Sequence, residues 1–232
     1  QGVSSAASDV YKRQALTKLN SLTQAIFVDM FGDPIVNDRS WATLPLSAVA
    51  EGIFDCPHST PVWTDHGEIC LRTSNLGKGT WDWTDKRFVS EATFVERSRR
   101  ARLEPGDIVL SREGTVGIAA LVPPNVPMCM GQRLVQVRAN ERRVRPRFLL
   151  DVLLFILAPD RIGQAMAGST SKHLNVKELR TLRVVVPPLQ AQDEYVAAAQ
   201  GVSDAMERMN VAADRFDTCL LYTSPSPRDQ RG

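Results

Sequence analysis

The strictest pattern in this chain follows a double proline. Behind Pro187-Pro188, the residues Tyr195, Ala199, Val202, Met206, Met209, Ala213 and Phe216 recur at alternating spacings of four and three. That is the apolar stripe of a heptad helix, and two consecutive prolines keep it from starting earlier. A second seam lies far upstream, where Leu16, Leu19, Thr23, Ile26 and Met30 repeat the same spacing. Gly32 and then Asp33-Pro34 stop that helix near Phe31. Two such stripes on either side of one region predict long helices that pair in a coiled coil, with Leu19, Ile26, Met30, Val202, Met206, Met209 and Phe216 in the seam. Whatever is globular must be built between them.

That intervening region is punctuated by turns. Residues 68–73 read as a strand, 75–79 as a turn, and 80–84 as a strand with Trp81 and Trp83 on one face. A short extended piece at 87–89 precedes a helix over 91–97. Pro105-Gly106-Asp107 is a tight turn that launches a strand at 108–111, and a second turn at 114–117 leads to a strand at 118–122. Residues 132–138 alternate cleanly. Pro146 suits the first position of a helix over 147–157, because its missing N–H costs nothing there. Residues 168–192 then run through a polar loop, a short helix opened by the capping-box pattern Asn175-Val-Lys-Glu178, a strand at 183–186 and the double proline. The expected fold is α+β, a curved and mainly antiparallel sheet with few helices, flanked by the long coiled-coil helices.

Both ends of the chain stand apart. Residues 4–14 (SSAASDVYKRQ) and 219–229 (CLLYTSPSPRD) resemble the translated arms of a transposase-type sequencing adapter. Residues 1–14 and 219–232 are therefore expected to be extraneous tails, and residues 15–218 a fragment of a longer protein. The tails hold four of the 28 basic and two of the 26 acidic residues, so the stretch between them is neutral. Overall charge thus gives no argument for a nucleic-acid partner. The arginine runs at 97–102 and 138–147 read, by themselves, as solvated faces. Cys56, Cys70 and Cys129 show no disulfide spacing, and no apolar run reaches the roughly 20 residues that cross a bilayer. A cytoplasmic location without a membrane partner is the expectation.

Several constellations bear on chemistry. Cys56, His58, His66 and Cys70 are chemically able to hold zinc, but their spacing matches no strong zinc signature. No G-x-S-x-G elbow is present, and the glycines at 77, 79, 114 and 117 lie in no strand–loop–helix phosphate-binding context. What stands out instead is a set of polar loops. Arg72, Ser74, Asn75 and Lys78 occupy one; Arg112 and Thr115 another; Arg133 a third; Ser169, Thr170, Lys172 and His173 a fourth. Arginine, asparagine, serine and threonine are the donors and acceptors that meet base edges, and lysine suits phosphates. As a group these loops favour binding over catalysis.

The runs CLRTSNLGKG, FVSEATF, LEPGDIVLSREGTVGIAALVP, MGQRLVQVR, GSTSKHLNVKEL and VVVPPLQAQ, in that order, resemble one target-recognition domain of the DNA-specificity subunit of type I restriction–modification systems. ALTKLNSLTQAIFVDMFGDP resembles the distal end of the central spacer helix that precedes such a domain. The resemblance implies a spacer end at 15–34, a recognition domain at 35–190 and the start of a second spacer helix at 191–218. It implies a non-catalytic chain that recognises one half of a bipartite site in double-stranded DNA. It also implies modification subunits that bring S-adenosylmethionine and a restriction subunit that brings ATP-driven cleavage, with no cofactor in this chain. A recognition domain within a fused restriction–methylation enzyme, or a structural or zinc-binding module, is the alternative.

Overall fold

A computed structural model describes residues 21–165 and 174–223, with side chains after Ala205 described only at Arg208, Met209 and Val211. The elements run in the order α1 (21–31), β1 (Thr43–Pro45), α2 (Leu46–Val49), β2 (Ala50–Asp55), β3 (Trp63–Thr64) and β4 (Glu68–Leu71). A 3-10 turn (Thr73–Asn75) follows, then β5 (Phe88–Val89), α3 (Glu91–Arg97), β6 (Ile108–Ser111), β7 (Ala119–Leu121), β8 (Met128–Met130) and β9 (Leu134–Ala139). The chain continues with α4 (Pro146–Ile156), α5 (Ile162–Ala165), α6 (Val176–Thr181), β10 (Arg183–Val185) and α7 (Leu189–Thr223). The described backbone divides into two units, Phe31–Glu194 and one that contains the helical residues 21–30 and 195–223.

Instead of one curved sheet, the larger unit carries three. β1 and β10 form an antiparallel pair, β2-β9-β6-β7 an antiparallel sheet, and β3-β5-β4-β8 a sheet whose β4–β8 pairing is parallel. The mainly antiparallel expectation holds, with that one pair as the exception. β6 (IVLS) is buried at every position, the pattern of a strand covered on both faces rather than one. On one side, Val109, Leu71, Met128, Met130 and Leu134 join in the principal core cluster. α4, which packs beside β7, supplies buried Phe148, Leu149, Val152 and Leu153.

Local chemistry accounts for the ends of several elements. Ser90 accepts a hydrogen bond from the Thr93 N–H and starts α3, Asn175 accepts one from the Lys177 N–H and starts α6, and Pro146 sits at the first turn of α4. α7 begins immediately after the double proline. Its first turn is anchored by fully buried Gln192, whose amide oxygen accepts from the Arg145 N–H at 2.8 Å and whose nitrogen donates to the carbonyls of Pro187 and Arg143. The expected strand at 80–84 does not form. Leu76 and Trp81 share one isolated bridge, the Trp81 indole donates to the Leu121 carbonyl at 2.7 Å, and the Trp81 and Trp83 rings stack with centroids 5.1 Å apart. The two rings do share a face, but on a loop.

In the helical unit, the expected seam holds at Thr23, Tyr195, Ala199 and Val202 but departs by one residue at 26. Phe27, not Ile26, is the buried position, and its ring meets that of Tyr195 edge-on at 5.5 Å. Thr23, Ala199 and Val202 are buried with them, Ile26 and Met30 are half-buried, and Met209 is exposed. Leu19 lies outside the described residues, as do the side chains of Met206 and Phe216. α7 extends to Thr223, past the expected boundary at 218.

Gly117 is a point where the fold tolerates no side chain. Its φ of 84° is left-handed, and a Cβ there would lie 2.2 Å from the Leu157 carbonyl oxygen. Left-handed backbone costs an L-residue roughly 1–2 kcal/mol before any clash. Gly117→Ala is therefore expected to lower the thermal midpoint by about 4 °C or more. Gly163→Ala, where a Cβ would meet nothing within 4 Å, should leave the midpoint unchanged or slightly raised.

Candidate nucleic-acid interface

The two larger sheets deliver their loops to a common edge. β4 and β8 run parallel with Leu71 opposite Met130, so Arg72 and Gly131 leave together. The Gly131 N–H donates to the Leu71 carbonyl at 2.8 Å, and a Cβ on Gly131 would fall 2.2 Å from that oxygen, so only glycine permits the approach. β6 and β9 are antiparallel with Ser111 opposite Leu134, which places Arg112 beside Arg133. The Arg112 N–H donates to the Arg133 carbonyl at 2.9 Å, and the Leu174 N–H donates to the Arg112 carbonyl at 2.8 Å. Leu174 is thus tied to the same edge. Lys78 joins through a bridge to Ala119 at the start of β7.

Within this edge the expected residues differ in what they can offer. Ser74, Lys78, Thr115 and Arg133 are exposed, Arg133 on a backbone with φ of 64°. Arg72 reaches back to Asp85, contacting its carboxylate at 2.5 Å and its carbonyl at 3.1 Å. That hydrogen bond holds the Asp85 carboxyl below the usual carboxylate range. Arg112 is nearly enclosed, with Nη1 3.0 Å from Asp55 and Nη2 2.9 Å from Glu113. The other Glu113 oxygen lies 3.7 Å from Arg133 Nε. Asn75 is buried at 2 % exposure, its oxygen accepting from the Arg72 N–H and its nitrogen donating to the carbonyls of Asp82 and Asp85. Its side chain shapes the loop from inside. Ser169, Thr170, Lys172 and His173 lie outside the described residues.

Three buried polar atoms of this edge take no partner among the described residues: Asp55 Oδ1, Arg72 Nε and Arg112 Nε. Residue-type reasoning missed Asp55 and Glu113, the carboxylates that orient these arginines. Glu113 stood in the SREGT run as a signal, whereas Asp55 is distant in sequence and had none.

The cysteines and histidines are not gathered into one site. Cys56 belongs to the principal core cluster, while Cys70 packs with Val89, Phe94 and Cys129 in a separate one. Burial pushes the Cys56 thiol up. The side chains of His58 and His66 are exposed, and no group of three or more potential metal ligands occurs among the described residues.

Comparison with known proteins gives a consistent picture. Residues 67–208 match the family described as "Type I restriction modification DNA specificity domain". A protein of Methanocaldococcus jannaschii assigned as the type I restriction enzyme MjaX specificity subunit is 25% identical over 101 residues, which is 44% of this chain and 23% of that protein. In fold, the chain is similar to the HsdS subunit from Thermoanaerobacter tengcongensis (TM-score 0.56, 17% identity, 92% of this chain and 52% of that one). It is also similar to the type I restriction–modification S subunit from M. genitalium (TM-score 0.51, 14% identity, 92% and 52%). The chain therefore spans about half the length of these structures and about a quarter of the curated relative.

Proposed function

Because the chain belongs to the type I restriction–modification DNA specificity domain family, we propose that it recognises DNA sequence and performs no chemistry itself. The observation that carries this is the convergence of loops 72–79, 112–118 and 131–133 on one edge, to which Leu174 is also hydrogen-bonded. In this reading Arg133 and Lys78 meet phosphates, and Ser74 and Thr115 reach base edges. Ser169, Thr170, Lys172 and His173 are DNA contacts in the same reading, by residue type.

One such domain reads one half of a bipartite site. α1 and α7 belong to the two spacer helices of the complete subunit, which pair as an antiparallel coiled coil, set the distance to the other half, and dock the modification subunits. S-adenosylmethionine enters with those subunits, and ATP with the restriction subunit. No helix among the described residues is long and apolar enough to cross a membrane, and none is needed for this role.

Mobility shift of a duplex with increasing salt tests the reading. Each phosphate contact contributes about −0.9 to the slope of log affinity against log salt. Arg133→Ala and Lys78→Ala should each weaken binding and flatten the slope by about that amount. A chain that shows no salt-sensitive binding even with modification subunits supplied would refute the proposal.

A further inference from the structure

The loop at 57–61 (PHSTP) follows β2 and precedes the family match at 67–208. Proline stands at each end, restricting the backbone, and His58, Ser59 and Thr60 are exposed between them. From beneath, the loop is held by Arg97, which is only 5 % exposed. Arg97 Nε donates to the Met130 carbonyl at 2.8 Å, Nη1 to Ser59 at 3.1 Å and Nη2 to Pro57 at 3.4 Å. Among the described residues no carboxylate pairs with it. Burying a guanidinium on carbonyls alone is costly, so a fold that keeps one gains something by holding this outline. What it holds is a short row of exposed hydrogen-bonding side chains.

The same loop is joined to the edge described above. Gln132 donates through Nε2 to the His58 carbonyl, and Thr60 donates to Gln132 Oε1 at 3.5 Å. His58 Nε2 lies 3.5 Å from Asp55 Oδ2, the oxygen that also receives Arg112. One carboxylate therefore sets both the buried arginine and the exposed imidazole. The His58 side chain is 66 % exposed, and its second ring nitrogen takes no partner among the described residues.

Building on the DNA-recognition reading, we propose that loop 57–61 is a further DNA-contacting element, with His58 meeting a base edge and Thr60 beside it. The loop has no lysine or arginine, so it has little to offer phosphates. It supplies directional hydrogen bonds from a fixed frame, which is what base readout requires.

The test is selection of bound sequences from a randomised duplex by the chain assembled with its modification subunits, using wild type, His58→Ala and Thr60→Ala. Wild type should enrich a defined motif. His58→Ala should reduce the preference at one base position by about tenfold, with the other positions and the salt slope retained. Both substitutions are at exposed positions, and unchanged thermal midpoints confirm that folding is intact. Folded variants that enrich the wild-type motif with unchanged base ratios would overturn the proposal while leaving the DNA-recognition reading in place. A flattened salt slope with an unchanged motif would also overturn it, since the loop would then contact phosphate. If wild type itself enriches no motif, the recognition reading fails first and this one with it.

Discussion

Asp107→Ala is expected to lower unfolding free energy by about 2–4 kcal/mol, somewhat below the range for one partner of a fully buried ion pair because Arg138 keeps 25% exposure. Asp107 lies in the Pro-Gly-Asp turn at 2 % exposure, and both of its oxygens are occupied. Oδ1 accepts from Arg138 Nε at 2.8 Å. Oδ2 accepts from the Glu104 N–H at 2.8 Å, Gln136 Nε2 at 2.6 Å and Arg138 Nη2 at 2.9 Å. Deleting the carboxylate closes none of these groups off from the interior. It leaves fully buried Gln136 with only the Arg102 carbonyl, at 3.3 Å, for its Nε2, and leaves Arg138 with the same carbonyl and the exposed Glu104 carboxylate. The carboxylate's hydrogen bond is also the main reason the Arg138 guanidinium holds its proton more tightly than usual. Asp107→Asn retains the shape and an acceptor for the Glu104 N–H but loses the charge, so its cost should be about half as large. Urea unfolding supplies the measurement, with the midpoint falling and the slope unchanged. A loss below about 1 kcal/mol for the alanine variant would show that the turn does not depend on this pair.

Elements with local signals were legible in the sequence. The helix at Glu91–Arg97 and the strand at Ile108–Ser111 occur at their expected bounds, because a serine cap and a Pro-Gly-Asp turn act within a few residues. β2 and β8 were not legible. β2 is defined by pairing with β9, in which Ile53 meets Val137, and β8 by a parallel pairing with β4, in which Cys70 meets Cys129. Neither partner is near in sequence, and neither MCM nor AEGIFD alternates. The same distinction governs the interface. Residue type singled out loops that the fold brings to one edge, but it could not separate Arg133, which is exposed, from Arg112, which is paired with Asp55 and Glu113. Asn75 had the composition of a base reader, yet its amide is fully taken up by the backbone of its own loop. Trp81 and Trp83 were spaced as on a strand, but the indole bond to Leu121 and the ring stack serve a loop equally well.

Arg112→Ala should destabilise the protein and weaken DNA binding through different routes, and a salt titration separates them. The side chain is 14 % exposed and paired with Asp55 at 3.0 Å and Glu113 at 2.9 Å. Its loss leaves Asp55 with the His58 imidazole at 3.5 Å, while Asp55 Oδ1 is buried without a partner among the described residues. The expected cost is about 2–3 kcal/mol, less than for a fully enclosed pair because Asp55 keeps 25% exposure. Asp55→Ala should cost a similar amount. The double variant should lose less than the sum by about 1–2 kcal/mol, which is the coupling of the pair. For DNA, both guanidinium ends are committed to carboxylates, so Arg112 acts by placing Arg133 through Glu113 and His58 through Asp55. Affinity should therefore fall about tenfold with the salt slope retained, whereas Arg133→Ala flattens the slope by about 0.9. Should Arg112→Ala flatten the slope equally while the unfolding midpoint stays at the wild-type value, Arg112 would be a phosphate contact, and the ion pair would give way when DNA binds.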